Sequence, residues 1–178
     1  MKAVNILPLL LLLVCMTPSC AFLSGKNVRS GPPESRYDDA SIKTAISSAL
    51  LRADAGKAND VNVHCFRGHV FLVGETDKAF AAQALEVASG SEGVVHVTTH
   101  WFAQGTADTV VDAAIEEEIE KRLLFSGDIS TRRIDIDVWG GNVVLTGLAK
   151  SQQEIQSAVA AIKRMQTVKS VTSYLAPE

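Results

Sequence analysis

Two stretches of the chain alternate apolar and polar residues with the period of a half-buried strand. One reads VNVHCFRGHVFLVG from Val61, and the other reads IDIDVWGGNVVLTG from Ile134, 73 positions later. In the first, Val61, Val63 and Cys65 alternate with Asn62, His64 and Phe66, which places the two sets on opposite faces of a strand. Arg67-Gly68-His69 and Gly140-Gly141-Asn142 supply residues that tolerate a tight turn, so each stretch predicts a hairpin. The return strands are expected over residues 70–73 and 143–146. Gly74 and Gly147 end them and are expected to make room for the helix that follows.

Each hairpin is flanked by helical spacing. Ile42, Ala45, Ile46, Ala49 and Leu50 fall on one helix face ahead of the first, and Ile115, Ile119, Arg122 and Leu123 do so ahead of the second. Asp39 or Ser41 suits the first N-cap, and Asp108 or Thr109 the second. Second helices are predicted over 78–88, with Ala81, Leu85 and Ala88 inward, and over 151–164, with Ile155, Val159 and Ile162 inward. Closing strands follow from Gly93 to Trp101 and from Thr167 to Leu175. The offset of 73 runs from helix through hairpin and becomes 74 afterwards, which argues for a duplicated unit with one residue added at a surface connection. Each unit reads helix, strand, strand, helix, strand. That is an α+β two-layer sandwich, small enough that packing between the copies is expected.

The N-terminus has a different pattern. Residues 1–19 carry one cation, Lys2, then a short apolar run from Val4 to Met16 ahead of Thr17-Pro18-Ser19-Cys20. The run is too short for a stable bilayer anchor and suits the h-region of a secretory signal peptide. Ser19 and Cys20 resemble a bacterial lipobox, with Cys20 the lipidated residue, although Thr17 departs from the usual leucine-like position. Ordinary cleavage after Ala21 is the alternative, because Ser19-Cys20-Ala21 has the small-x-small form. Residues 20–38 are Gly-, Ser-, Pro- and charge-rich without period, a tether able to span roughly 60 Å. The organisation expected is therefore a signal peptide over 1–19, a lipidated tether over 20–38, a first domain over 39–105 and a second over 106–178. Ala21 after the lipid site points to an outer-membrane, periplasm-facing location, with a soluble periplasmic protein as the alternative.

Composition adds limits. The chain has 178 residues, 47% of them apolar, and a net charge of −3, which does not suggest a nucleic-acid binder. Of three cysteines, Cys15 lies in the leader and Cys20 at the lipid site, which leaves Cys65 without a disulfide partner on an apolar strand face. His64, His96 and His100 share a sheet face by parity, but their counterparts Asp137, Ser170 and Tyr174 do not repeat the set, and no standard zinc spacing results. No nucleophile triad, phosphate-cradling loop or paired carboxylates stand out, so no enzyme activity, cofactor or metal is expected.

A V-x-V strand, then G-x-V-x-L-x-G, a helix and a closing G-V-x-x-V strand resembles the BON domain, named for bacterial osmotically induced and nodulation proteins. The first copy carries Gly68, Val70, Leu72, Gly74, Gly93, Val94 and Val97. The second carries Gly141, Val143, Leu145, Gly147, Val168 and Val171, with Thr167 in place of the usual glycine. Two tandem BON-like domains behind a lipobox resemble the dual-BON outer-membrane lipoproteins. That resemblance implies a non-enzymatic protein that binds phospholipid or the membrane surface and helps maintain outer-membrane integrity.

Candidate contact residues are Lys163, Arg164 and Lys169, clustered at the end of the last helix and start of the last strand. Trp139 joins them as an amphipathic ring at a headgroup boundary, and Phe66 is its equivalent in the first copy. Glu116, Glu117, Glu118 and Glu120 would repel the same anionic surface, and Trp139 suits a domain interface equally well. The alternative function is a periplasmic adaptor that binds an envelope protein partner, its lipid anchor the only membrane contact.

Overall fold

The computed structural model describes residues 38–125, 129 and 131–178. The expected signal peptide, Cys20 and nearly all of the expected tether lie outside the described residues. Helix α1 (Asp39–Ala53) and a single turn α2 (Ala55–Ala58) precede strands β1 (Val61–Phe66) and β2 (His69–Glu75), then helix α3 (Lys78–Ser89) and strand β3 (His96–Phe102). The second repeat follows with α4 (Thr109–Phe125), a 3-10 turn (Thr131–Arg133), β4 (Ile134–Trp139), β5 (Asn142–Ala149), α5 (Gln152–Lys163) and β6 (Ser170–Pro177). Each sheet has three strands with the hairpin's second strand in the middle. β1 and β4 pair antiparallel to β2 and β5, whereas β3 and β6 pair parallel to them across the helix.

The outer face of each sheet holds a helix pair on an apolar core. Ile42, Ile46 and Leu50 of α1 and Phe80, Ala84 and Ala88 of α3 close over Val61, Val63, Val70 and Leu72. Ile115, Ile119 and Leu123 of α4 and Ala158 and Ile162 of α5 close over Ile134, Val138, Val143 and Leu145. Each Val, Leu, Ile or Phe side chain among them contributes about 1.5–3 kcal/mol on burial. In α3 Ala88 faces in as predicted, but Phe80 and Ala84 join it in place of Ala81 and Leu85, and Leu85 is left exposed. The larger Phe80 ring sets which face turns inward.

Three local features differ from the sequence expectation, each for a visible reason. The N-cap of α1 is Asp38, whose carboxylate accepts from Ser41 N–H at 2.7 Å, which frees Asp39 for another task. The hairpin turns are two residues long, Arg67-Gly68 and Gly140-Gly141, with φ of 54°, 75°, 58° and 80°, the type I′ pattern that matches strand twist. Gly74 and Gly147 lie inside β2 and β5, and what they make room for is not the next helix. A Cβ at Gly74 would sit 2.0 Å from the Asp60 carbonyl oxygen, and one at Gly147 2.0 Å from that of Arg133. In both repeats the chain entering the first strand crosses the glycine at backbone contact.

Asp39 and Asp112 hold each hairpin to its first helix. Asp39 accepts from the backbone N–H groups of Arg67 and Gly68 at 2.7 and 2.8 Å, and Asp112 from those of Gly140 and Gly141 at 2.7 and 2.8 Å. A turn with both residues at positive φ aims two N–H groups the same way, and one carboxylate satisfies both. The pairing repeats at the same offset of 73, so it belongs to the unit rather than to one copy.

The interface between the repeats and a candidate binding surface

The inner faces of the two sheets pack on each other, giving four layers, helix–sheet–sheet–helix. Phe71 and Val73 of β2 bury against Trp139 and Val144 of the second repeat, with Phe66, Phe102 and Tyr174 around them. Trp139 stacks with Phe102 at 6.1 Å between ring centroids, and Phe71 lies 5.9 Å from Tyr174. The parity that places Asn62, His64 and Phe66 opposite the apolar face is thus the parity of an interface, with Asn62 at its exposed edge.

Equivalent positions meet across this interface. His64 Nε2 lies 2.9 Å from Asp137 Oδ2, and His100 Nδ1 is hydrogen-bonded to Tyr174 Oη at 3.0 Å. The flanking contacts exchange roles: Asn62 Nδ2 donates to Asp137 Oδ1 at 2.6 Å, and His64 Nδ1 lies 2.9 Å from Asp135 Oδ2, an electrostatic contact rather than an aligned hydrogen bond. Asn62 and Asp135 are themselves equivalents, so the two contacts are mates. Self-pairing of equivalents with exchange of their neighbours is the signature of a two-fold axis, here an approximate one within a single chain.

His64 is 8% exposed and Asp137 3%. Burial pulls the imidazole down, but Asp135 and Asp137 outweigh it and raise its pKa from 6.5 to about 9, so the ring is an imidazolium at neutral pH. Burial pushes the Asp135 carboxyl up, and His64 with help from Lys43 lowers it overall. Beside this group a cleft of about 310 Å³ is lined by Glu116, Glu120 and the same aspartates. Glu116 is raised by burial first, then by Asp137 and Glu120. Among the described residues no group of three or more His, Cys, Asp or Glu is arranged to hold a metal ion.

The link between the repeats is fixed by Glu75, whose carboxylate accepts from Thr106 N–H at 2.8 Å and Ala107 N–H at 3.1 Å. Its counterpart in the second repeat is Leu148, so this contact is not duplicated. Neither the link contact nor the histidine group announces itself in sequence. The one signal available is that charge reverses between His64 and its equivalent, Asp137.

The residues singled out for membrane contact separate into two places. Trp139 is 9% exposed and Phe66 half-buried, both on the inter-sheet face, so the ring expected at a headgroup boundary is instead covered by the opposing sheet. Lys163, Arg164 and Lys169 are exposed at the end of α5 and the turn into β6. Among the described residues none of the three is ion-paired. Lys169 lines a groove of about 390 Å³ with Thr167, Gly141 and Val111 of α4. Val111 is 50% exposed, so bare apolar surface adjoins Lys169, and its chain neighbour Val110 is 79% exposed. Glu117 and Glu118 of α4, which the sequence set against an anionic surface, are paired to Lys121 and Arg122 along the helix.

Comparison with known proteins gives the class. The BON domain profile matches residues 38–100 and again 111–176, and the chain belongs to the BON domain family, as a protein with two copies. It is 30% identical to the osmotically-inducible protein Y of Escherichia coli (strain K12) over 144 residues, which is 78% of this chain and 72% of that protein. It is 29% identical over 143 residues to an uncharacterized protein in the gshII 5′ region of Anaplasma centrale, covering 78% of this chain and 93% of that one. Among solved structures, the C-terminal domain of CdsD, a structural protein of the type III secretion system of Chlamydia trachomatis, aligns at 12% identity over 79% of this chain and 67% of that chain. Its TM-score is 0.33. Among the described residues no helix is long and apolar enough to cross a membrane.

Proposed function

We propose that the chain is a non-enzymatic cell-envelope protein that meets anionic phospholipid through one end of its second repeat and helps maintain the outer membrane. The observation that carries this reading is the group of exposed cations without ion-pair partners among the described residues, Lys163, Arg164 and Lys169, the last of which shares a groove with the half-exposed Val111. Cations at a membrane surface add about 1 kcal/mol each against anionic lipid, and small apolar side chains beside them add headgroup-depth contact. Two supports come from outside the surface itself: the BON resemblance implies phospholipid binding, and one relative is by name osmotically inducible. Lipid on Cys20 would hold the protein to the periplasmic side of the outer membrane and bring this surface within reach of headgroups.

A second reading, an adaptor for an envelope protein, is favoured by the opposite end of α4. There Leu124 is 65% and Phe125 89% exposed. The test that separates the two readings is vesicle flotation of residues 26–178, with neutral and anionic phospholipid, at low and high salt. Flotation with anionic vesicles that fades with salt is expected of lipid recognition. No flotation under any condition contradicts it and leaves the adaptor reading.

A further inference from the structure

The two inner faces are related by approximate two-fold symmetry, yet at the axis they are chemically opposite. The first repeat presents Asn62 and His64; the second presents Asp135 and Asp137 at the same positions. Their apolar surroundings, Phe71, Val73, Val144 and Trp139, are non-directional and would pack against either face. The polar four would not. Two first-repeat faces meeting about the same axis would set imidazole against imidazole with no acid between. Two second-repeat faces would set four carboxylates within a few ångströms, the two at the Asp137 position buried and the two at the Asp135 position half-exposed, where like charges are unfavourable and most so for the buried pair.

We propose that the inner face of each repeat is an interaction surface addressed to the other repeat alone, and that Asn62, His64, Asp135 and Asp137 set this choice. The attractive part is the imidazolium held between two carboxylates; the discriminating part is the repulsion each like pairing would meet. The duplication explains why such a device is needed. Two near-identical apolar faces on one chain can otherwise pair with the wrong copy of themselves on a second molecule, and Glu75, by pinning the link at Thr106 and Ala107, keeps the correct partner adjacent. The other groups facing the four are Glu116 and Glu120 of α4, which line the same cleft, Lys43 of α1, which acts on Asp135, and His100 of β3, which senses Asp137. None of them reverses the difference between the faces.

The symmetry supplies its own test, made in the full chain. Asn62→Asp with His64→Asp gives the first face the second's chemistry. Asp135→Asn with Asp137→His does the converse. All four together restore the native contacts with the repeats' roles exchanged. Each half-exchange is expected to lower the thermal unfolding midpoint by about 5 °C or more, and the full exchange to regain most of that loss. Half-exchanges that unfold with the parent would overturn the proposal, as would a full exchange no more stable than its halves.

Should the acidic half-exchange fail to fold, the other one still decides. It carries no net charge at the axis at about pH 8 and is expected to fold there, then to lose its midpoint more steeply than the parent toward about pH 5.5, as two imidazoles charge against each other. A pH profile parallel to the parent's contradicts the proposal.

Discussion

His64 and Asp137 hold the same position in the two copies of the unit, and their side chains meet at 2.9 Å on the axis that relates the copies. Together with the second self-pair, His100 and Tyr174, and the exchanged contacts of Asn62 and Asp135, this contact defines an approximate two-fold relation between the sheets. With Asp135 on its other nitrogen, His64 is a buried cation between two acids. The two repeats thus form one four-layer unit whose middle is charged at one edge and apolar elsewhere.

The charged edge makes stability depend on pH in a stated direction. The folded pKa of His64, about 9, lies above its ordinary 6.5, so its contribution is fully present below pH 6.5 and is lost as pH rises through 9. The raised value corresponds to about 3 kcal/mol across that window. Urea unfolding midpoints should fall between pH 6.5 and 9.5 in the parent, and the slope should be shallower in His64→Gln. Equal slopes would show that His64 is not a cation in the folded protein.

Asp112→Ala should be the most damaging loss of a single carboxylate. It removes the acceptor for Gly140 and Gly141 N–H and for Asp108 N–H at 2.8 Å in a place that is 5% exposed. Leaving these donors unsatisfied costs about 2–4 kcal/mol. Asp39→Ala, at the more open equivalent turn, should cost less, and Asp112→Asn should recover part of the loss because one amide oxygen still accepts. Chemical denaturation of the three variants checks the order.

Substitution of the strand glycines separates close approach from simple strain. Alanine at Gly74 or Gly147 drives a Cβ onto a backbone carbonyl that has no room to rotate away, and about 3 kcal/mol or more should be lost. Gly105→Ala, at φ +78° with nothing within 4 Å of the added carbon, should cost only the left-handed backbone penalty, about 1–2 kcal/mol. Comparable losses at all three would mean that backbone contact is not what selects glycine at 74 and 147.

How much of this was legible in the sequence depended on whether the signal was periodic. The alternation of Val61, Val63 and Cys65, the spacing of Ile42, Ile46 and Leu50, and the shared offset of 73 belong to local geometry, and they led to the duplicated α+β unit. The interface was not periodic information. A strand face carrying Asn62, His64, Asp135 and Asp137 reads like one turned to water, because polar groups that satisfy each other across a gap have the same alternation as polar groups that face solvent. On that parity Trp139 reads as a ring at a lipid boundary, whereas the first repeat's sheet covers it. The cations Lys163, Arg164 and Lys169 are visible as a cluster in sequence, but Val111, which shares a groove with Lys169, comes from a helix more than 50 residues earlier, and only the fold brings the two together.

The most direct measurement of the membrane claim is flotation with anionic vesicles of three proteins side by side: residues 26–178 unchanged, the same chain with Lys163→Glu and Arg164→Glu, and the same chain with Trp139→Phe. The parent and Trp139→Phe should float alike, since Trp139 lies between the sheets, and the charge reversal should stay at the bottom of the gradient. Flotation of the charge reversal equal to the parent, or loss of flotation with Trp139→Phe alone in a protein that still unfolds cooperatively, would contradict a lipid contact at this end of the second repeat.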